Sequence, residues 1–138
     1  MLTKGKYAMN GIKYLLDTNI IISFMNGNKS LQLYFEDSTK VSISIISFLE
    51  LLVYPLITIE EQSQIESFVD KITVFDLNKN DKEIIENIID CRKKYKSLKL
   101  PDAIIFATAK YYDIELVSYD VIFNRLINDY SNINVLKR

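Results

Sequence analysis

Short apolar runs that suit buried strands alternate with helical segments along this chain, and only a few residues separate each run from the next. The run VSISI at 41–45 alternates and is rich in β-branched residues, which favours a strand. The segment 80–95 carries isoleucines at 84, 85, 88 and 89, which favours an amphipathic helix. Alternation of this kind predicts an α/β sandwich, with a mainly parallel sheet of about five strands flanked by helices. The predicted strands are 14–16, 41–45, 72–75, 116–118 and 134–136, and the predicted helices are 20–25, 31–35, 47–53, 59–69, 80–95, 101–112 and 121–127.

The 138 residues have room for a single domain with one sizeable core. Residues 1–10 are interpreted as an N-terminal extension, disordered or non-native, with Met1 and Met9 as alternative starts. The most apolar run, 42–57, is too short to cross a membrane and contains an acid. Cys91 is the single cysteine and has no internal partner, so the sequence predicts a reducing, cytoplasmic location without a membrane.

The chain contains no histidine, and this absence restricts its chemistry. Ser-His-Asp and Cys-His nucleophiles are excluded, as is zinc held by histidine. The 17 basic and 18 acidic residues give a net charge of −1, so the overall charge does not indicate a protein that binds nucleic acid. Any acid–base or metal chemistry must therefore depend on carboxylates.

Four carboxylates fall near the carboxyl ends of the predicted strands. Asp17 directly follows the first strand, and Asp120 comes two residues after the strand 116–118. Glu50 lies early in the helix after the second strand, and Asp102 follows the proline that begins another helix. Ligands bind at this edge of a parallel sheet. We therefore expect the four acids to lie close together, where Mg²⁺ or Mn²⁺ would compensate their charge.

Each of these acids also has a structural interpretation. Asp17 and Asp102 stand where a helix N-cap is expected, and position alone favours neither reading. Asp120 taken alone is an ordinary loop residue. Glu50 is flanked by apolar residues in the sequence, so it is either paired with an unidentified Lys or Arg or functional, with function favoured. The four positions indicate a metal site only as a set.

Four segments, in this order, resemble the conserved motifs of PIN domains, especially those of VapC-type toxins from prokaryotic toxin–antitoxin pairs. They are LLDTNII at 15–21, SFLELL at 47–52, LPDAIIFATA at 100–109, and LVSYD at 116–120 followed by Phe123. The likeness extends over nearly the whole chain from Lys13 onward. Three positions depart from the family pattern: Ser118 stands where threonine is usual, Tyr54-Pro55 replaces a small residue, and Ile122 occupies a position that often holds a further acid.

This resemblance implies a three-layer PIN-like sandwich and a ribonuclease that hydrolyses RNA phosphodiester bonds with Mg²⁺ or Mn²⁺. It also implies a homodimer and a cognate antitoxin protein that blocks the site. Three polar residues would orient the acids and a water. The implied catalytic and metal-binding residues are Asp17, Glu50, Asp102 and Asp120, and the orienting residues are Thr18, Asn19 and Ser118.

One basic stretch leads directly into the third motif. It is interpreted in two ways: as a solvated helix end whose cations face the helix dipole, which is favoured, or as a contact for the RNA backbone. The basic residues of this stretch are Arg92, Lys93, Lys94, Lys96 and Lys99.

Other classes of protein fit the residues less well. A phosphatase of the haloacid-dehalogenase type, kept as an alternative, needs a second aspartate where Asn19 stands. A P-loop or Rossmann nucleotide binder needs a glycine-rich first turn, which is missing here. A response-regulator receiver expects an acidic pair at the first strand. A catalytically silent PIN-fold interaction module is the remaining alternative, and the presence of all four acids argues against it.

Overall fold

The computed structural model describes residues 11–55 and 57–138. The interpretation of residues 1–10 as an N-terminal extension lies outside the described residues. In the described part, no helix is long and apolar enough to cross a membrane.

A five-stranded sheet forms the centre of the structure, and all its strand pairs are parallel. The strand order is β3-β2-β1-β4-β5, so β1 is central and pairs with both β2 and β4. The chain passes from β1 outward to β2 and β3 on one side of the sheet. It then crosses to β4, on the other side of β1, and continues outward to β5. The carboxyl ends of β1 and β4 therefore border the switch point where α/β sheets usually bind ligands. The strands are β1 (Tyr14–Leu16), β2 (Val41–Ser44), β3 (Thr73–Phe75), β4 (Glu115–Ser118) and β5 (Ile133–Val135).

Helices cover both faces of this sheet, which confirms the predicted α/β sandwich. Leu15 and Leu16 are both fully buried, and because successive side chains of a strand point to opposite faces, they enter different cores. The core containing Leu15 lies against α4 and α5, and that containing Leu16 lies against α1, α2 and α3. The α-helices are α1 (Thr18–Met25), α2 (Ile45–Leu52), α3 (Ile59–Val69), α4 (Lys82–Lys94) and α5 (Leu100–Tyr112).

The predicted elements are found, with differences at their ends and in helix type. The predicted helices 31–35 and 121–127 are 3₁₀ helices, Lys29–Phe35 and Val121–Leu126. The first helix begins at Thr18 rather than Ile20, because Asp17 already caps it. The apolar stripe of α4 is narrower than predicted, since Ile84 and Ile88 are buried whereas Ile89 is exposed.

Candidate active site

Asp17 is held at the carboxyl end of β1, in the middle of the sheet. Its backbone is extended, and its Oδ1 accepts a hydrogen bond of 2.8 Å from the Thr18 amide as the N-cap of α1. Its Oδ2 accepts a hydrogen bond of 2.7 Å from the Ser118 hydroxyl. The side chain is only 6% exposed. Burial raises the pKa of Asp17, the hydrogen bonds oppose this rise, and the charges of Glu50 and Asp120 add to it.

Ser118 links three groups at the end of β4. Besides donating to Asp17, its hydroxyl accepts hydrogen bonds from the Asp120 amide at 2.9 Å and from the Asn19 side-chain amide at 3.4 Å. Asn19 Oδ1 in turn accepts a bond of 3.2 Å from the Tyr119 amide. Asp120 Oδ1 accepts from the Ile122 amide at 3.0 Å and so caps the following 3₁₀ helix. These bonds fix the start of α1 against the end of β4.

Glu50 reaches the same edge from α2, and it is solvent-exposed. Thr18 Oγ1 donates a hydrogen bond of 2.8 Å to Glu50 Oε1, which connects the start of α1 to the second turn of α2. The apolar residues that flank Glu50 in the sequence do not bury it, since Leu49 and Val53 are themselves 51% and 77% exposed. The physical reason is that α2 turns one face to the sheet, with Leu51 fully buried, and leaves the opposite face to solvent.

Asp102 is the third residue of α5 and is half-buried. The N-cap of α5 is Lys99, and no side chain caps it, so the interpretation of Asp102 as an N-cap is wrong. Burial raises the pKa of Asp102 to about 6, helped by the charges of Asp17, Asp120 and Glu50, while nearby Lys99 opposes the rise. The charges of the other three predicted acids all act on the pKa of Asp102.

Among the described residues none of the four carboxylates forms an ion pair, and Lys99 is the basic residue whose charge acts on Asp102. The ion pairs among residues 11–55 and 57–138 are Lys40–Asp37 and Lys94–Asp129, and neither includes one of the four acids. In the same part of the chain no three acidic, histidine or cysteine side chains are gathered into a ready-made metal cluster. The oxygens of Asp17, Glu50 and Asp120 instead accept hydrogen bonds from nearby backbone amides and hydroxyls. Like charges that collect without a counter-ion make a site that a cation would stabilise.

The basic stretch is divided between internal contacts and solvent. Lys94 Nζ lies 2.8 Å from Asp129 Oδ1, and Arg92 donates to the Leu98 carbonyl oxygen. Lys99, at the start of α5, is near enough to Asp102 to influence its pKa. The remaining two cations of the stretch are exposed, and they are Lys93 and Lys96.

A group of residues beside this site was missed by sequence reasoning. Tyr119 Oη lies 3.2 Å from Ser23 Oγ and accepts a bond of 3.0 Å from the Asn28 amide, which ties the end of α1 to β4. The Arg138 guanidinium packs over the Tyr119 ring at 4.5 Å from its centroid. Asn26-Gly27 indicates only a helix end in the sequence. No sequence signal relates Arg138 to this place, because 19 positions separate it from the tyrosine it covers.

Comparison with known proteins gives one family and a set of similar folds. The PIN domain family profile matches residues 14–128. No curated protein sequence gives a significant match. A chain of a toxin–antitoxin complex from Klebsiella pneumoniae is 24% identical, with a TM-score of 0.73 over 91% of this chain and 100% of that one.

Two further structures are similar, VapBC-1 from nontypeable Haemophilus influenzae and VapBC2 from Rickettsia felis bound to a promoter DNA fragment. The first has 20% identity and a TM-score of 0.68 over 91% of this chain and 98% of that one. The second has 18% identity and a TM-score of 0.66 over 92% and 99%. At such identities the likeness shows a shared fold. PIN domains in general are nucleases, and on the match to most of its length this chain belongs to the PIN domain family.

Proposed function

We propose that this protein is an endoribonuclease that depends on Mg²⁺ or Mn²⁺ and hydrolyses RNA phosphodiester bonds. The observation that carries the proposal is the set of four carboxylates at the β1/β4 switch point, none of which is ion-paired in the described residues. Burial, together with the charges of the other three acids, raises the pKa of Asp102 to about 6. Hard carboxylate oxygens are the ligands that both ions prefer. The donor set therefore fits a hard divalent cation.

The residues divide into ligands and groups that orient them. Asp17, Glu50, Asp102 and Asp120 would hold the ion. Bound there, Mg²⁺ or Mn²⁺ lowers the pKa of a water and neutralises the charge that develops on a phosphate. Three neighbouring residues would fix the positions of the ligands. Removing a group of this kind costs roughly 10–100-fold in metal affinity or activity. They are Ser118, which donates to Asp17, Thr18, which donates to Glu50, and Asn19, which bonds Ser118.

We also propose that the protein is the toxin of a toxin–antitoxin pair and acts in the cytoplasm. The support is its fold, which is shared with chains from a toxin–antitoxin complex of Klebsiella pneumoniae and from VapBC-1 of Haemophilus influenzae. A cognate antitoxin protein and a second copy of the chain are the partners that this proposal implies. Co-expression with the antitoxin encoded beside it should then suppress the activity.

The purified protein is expected to cleave RNA in Mg²⁺ or Mn²⁺, to leave 5′-phosphate ends, and to stop in excess EDTA. The reason is that the four acids would hold the ion, which lowers the pKa of the attacking water. Cleavage of labelled RNA, followed on denaturing gels with end analysis, measures this. Activity that survives chelation would overturn the mechanism, and an inactive protein that still binds Mg²⁺ would favour a silent PIN-fold module.

Replacing Lys93, Lys96 and Lys99 by glutamine together is expected to weaken RNA binding and reduce its salt dependence. For each lysine that binds a phosphate of a single strand, its removal should lower the slope of log K against log [salt] by about 0.7. Binding isotherms in EDTA at several salt concentrations measure the slope. Lys94→Gln is the matched control, because Lys94 is already paired with Asp129 and should leave the slope unchanged. Equal slopes for the triple variant and wild type would mean that these lysines do not bind phosphates and that the stretch is a solvated helix end.

A further inference from the structure

A polar cleft of about 590 Å³ opens where α1 ends. Its volume lies within the ~300–1,000 Å³ usual for small-molecule sites. Hydrogen-bonding side chains dominate its wall, and one face carries a cation. The polar residues of the wall are Asn19, Ser23, Asn26, Asn28, Tyr54 and Arg138.

Asn19 belongs both to this cleft and to the candidate active site. Its side-chain amide donates to Ser118 Oγ at 3.4 Å, and the same hydroxyl donates to Asp17 at 2.7 Å. The wall of the cleft is thus two hydrogen bonds away from a proposed metal ligand. A molecule in the cleft would therefore contact a residue that is hydrogen-bonded to the support of Asp17.

The floor of the cleft is fixed before any ligand arrives. Asn28 donates to Ser23 Oγ at 3.1 Å and to Tyr119 Oη at 3.0 Å, and its Oδ1 accepts from the Ser30 amide and hydroxyl. Gly27 has a φ of +96°, and a Cβ there would meet no atom within 4 Å, so the turn leaves the cleft open. Fixed polar groups of this kind favour binding because little order is lost on association.

The groups that face into the cleft suit a nucleotide. The Arg138 guanidinium lies over the Tyr119 ring and pairs with no acid of the described residues, and its planar fork matches phosphate. The Tyr54 ring is half-buried in the wall, and tyrosine faces stack on bases of single-stranded RNA. The Asn26 amide lies at the same wall and offers both donors and an acceptor to the edge of a base.

We propose that this cleft binds one nucleotide of the RNA strand next to the phosphodiester that is cut, with its phosphate on Arg138 and its base against Tyr54 and Asn26. The assignment to RNA rests on the proposed ribonuclease function. The cleft would then contribute to the choice of cleavage sequence, because an amide and a ring edge distinguish one base from another.

The test is a titration of ¹⁵N-labelled protein with each of the four 5′-mononucleotides, in EDTA so that no RNA chemistry is involved. We expect backbone amide shifts centred on Asn19, Asn26 and Gly27, with one base preferred. Arg138→Gln should weaken binding about tenfold, since a hydrogen bond to a charged group is lost. Tyr54→Leu should reduce the difference between bases. Lys137→Gln is the matched control, because this exposed neighbour does not line the cleft, and it should bind like wild type.

Three results would overturn the cleft proposal: no shifts at these amides, equal shifts with inorganic phosphate alone, or an equal loss of binding in Lys137→Gln. The ribonuclease proposal is tested separately by cleavage in Mg²⁺. RNA cleavage without mononucleotide binding would contradict the cleft proposal and support the ribonuclease proposal. Mononucleotide binding without RNA cleavage would support the nucleotide site and contradict the ribonuclease proposal.

Discussion

Replacing Asp17 by asparagine is expected to reduce RNA cleavage more than about 100-fold, because losing a group that merely orients a metal ligand already costs ~10–100-fold. A neutral amide is a poor ligand for Mg²⁺. The same change should leave the protein without metal as stable as wild type or slightly more stable. In this variant we therefore expect activity to fall while the stability of the metal-free protein stays the same or rises slightly.

The stability half of this expectation follows from the contacts of Asp17. Asparagine is as good an N-cap as aspartate, so the bond from the Thr18 amide to Oδ1 can persist. The lost charge is one that burial and two neighbouring acids disfavour, as the raised pKa of Asp17 indicates. No ion pair in the described residues includes Asp17, so the change strands no buried cation, which would cost roughly 3–5 kcal/mol.

Thermal melts of wild type and Asp17→Asn, each with and without Mg²⁺, measure this prediction. The rise in melting temperature on adding Mg²⁺ should shrink in the variant, since the rise reports binding to the folded state. Asp37→Asn is the matched control: Asp37 also caps a short helix, through a bond of 3.0 Å from the Thr39 amide, but its pKa is lowered by Thr39. That variant should keep both activity and metal response. A large loss of apo stability in Asp17→Asn with an unaltered Mg²⁺ response would contradict a cation site.

The three central strands could be predicted from sequence because they are mostly buried and each is a short run of apolar or β-branched residues. The run at β2 is β-branched and buried along its whole length, so few other structures accommodate it. The 3₁₀ helices Lys29–Phe35 and Val121–Leu126 were not distinguished from α-helices, because apolar spacing over six or seven residues fits either period. Sequence order also placed the carboxyl ends of the strands together, since parallel pairing and short connections leave little choice.

The burial and hydrogen bonds of the four acids could not be predicted from the residues next to them in the sequence. Whether Glu50 is buried depends on which face α2 turns to the sheet, and the apolar residues on both sides of it do not decide this. The N-cap reading was right for Asp17 and wrong for Asp102, a difference set by the helix start at Leu100. The bonds of Ser118 to Asp17 and Asn19 join positions about a hundred residues apart, so only the resemblance to PIN domains could suggest them.

Replacing Asp102 by asparagine is expected to raise the stability of the metal-free protein by an amount that grows as pH rises from about 4 to 7. The Asp102 pKa is about 6 in the folded protein and ~3.9 in an unfolded chain. A carboxyl with a raised folded pKa contributes stability that is full below ~3.9 and is lost as pH rises through about 6. Asparagine does not titrate, so the variant escapes this loss.

The size of the effect follows from the rise in pKa, which corresponds to at most ~3 kcal/mol. Because Asp102 is half-exposed, solvent screening reduces this to about 1–2 kcal/mol. The helix dipole opposes the change by roughly 0.3–1 kcal/mol, since an ionised acid in the first turn of α5 is favourable. Burial of the ionised carboxylate, together with repulsion by the other three acids, should still decide the sign at pH 7.

Denaturant unfolding in EDTA at several values between pH 4 and 7 measures the difference between Asp102→Asn and wild type. Taking the difference removes most of the contribution of Asp17, which titrates in both proteins. Asp129→Asn is the control of opposite sign: hydrogen bonds from Lys94 and Tyr95 lower the pKa of Asp129, so its stabilisation is present above ~3.9 and lost at lower pH. Mg²⁺ should reverse the trend for wild type, because the ionised carboxylate becomes a ligand. Parallel stability curves for Asp102→Asn and wild type from pH 4 to 7 would mean that the four carboxylates do not repel one another in the folded protein, and the case for a shared cation would lose its electrostatic basis.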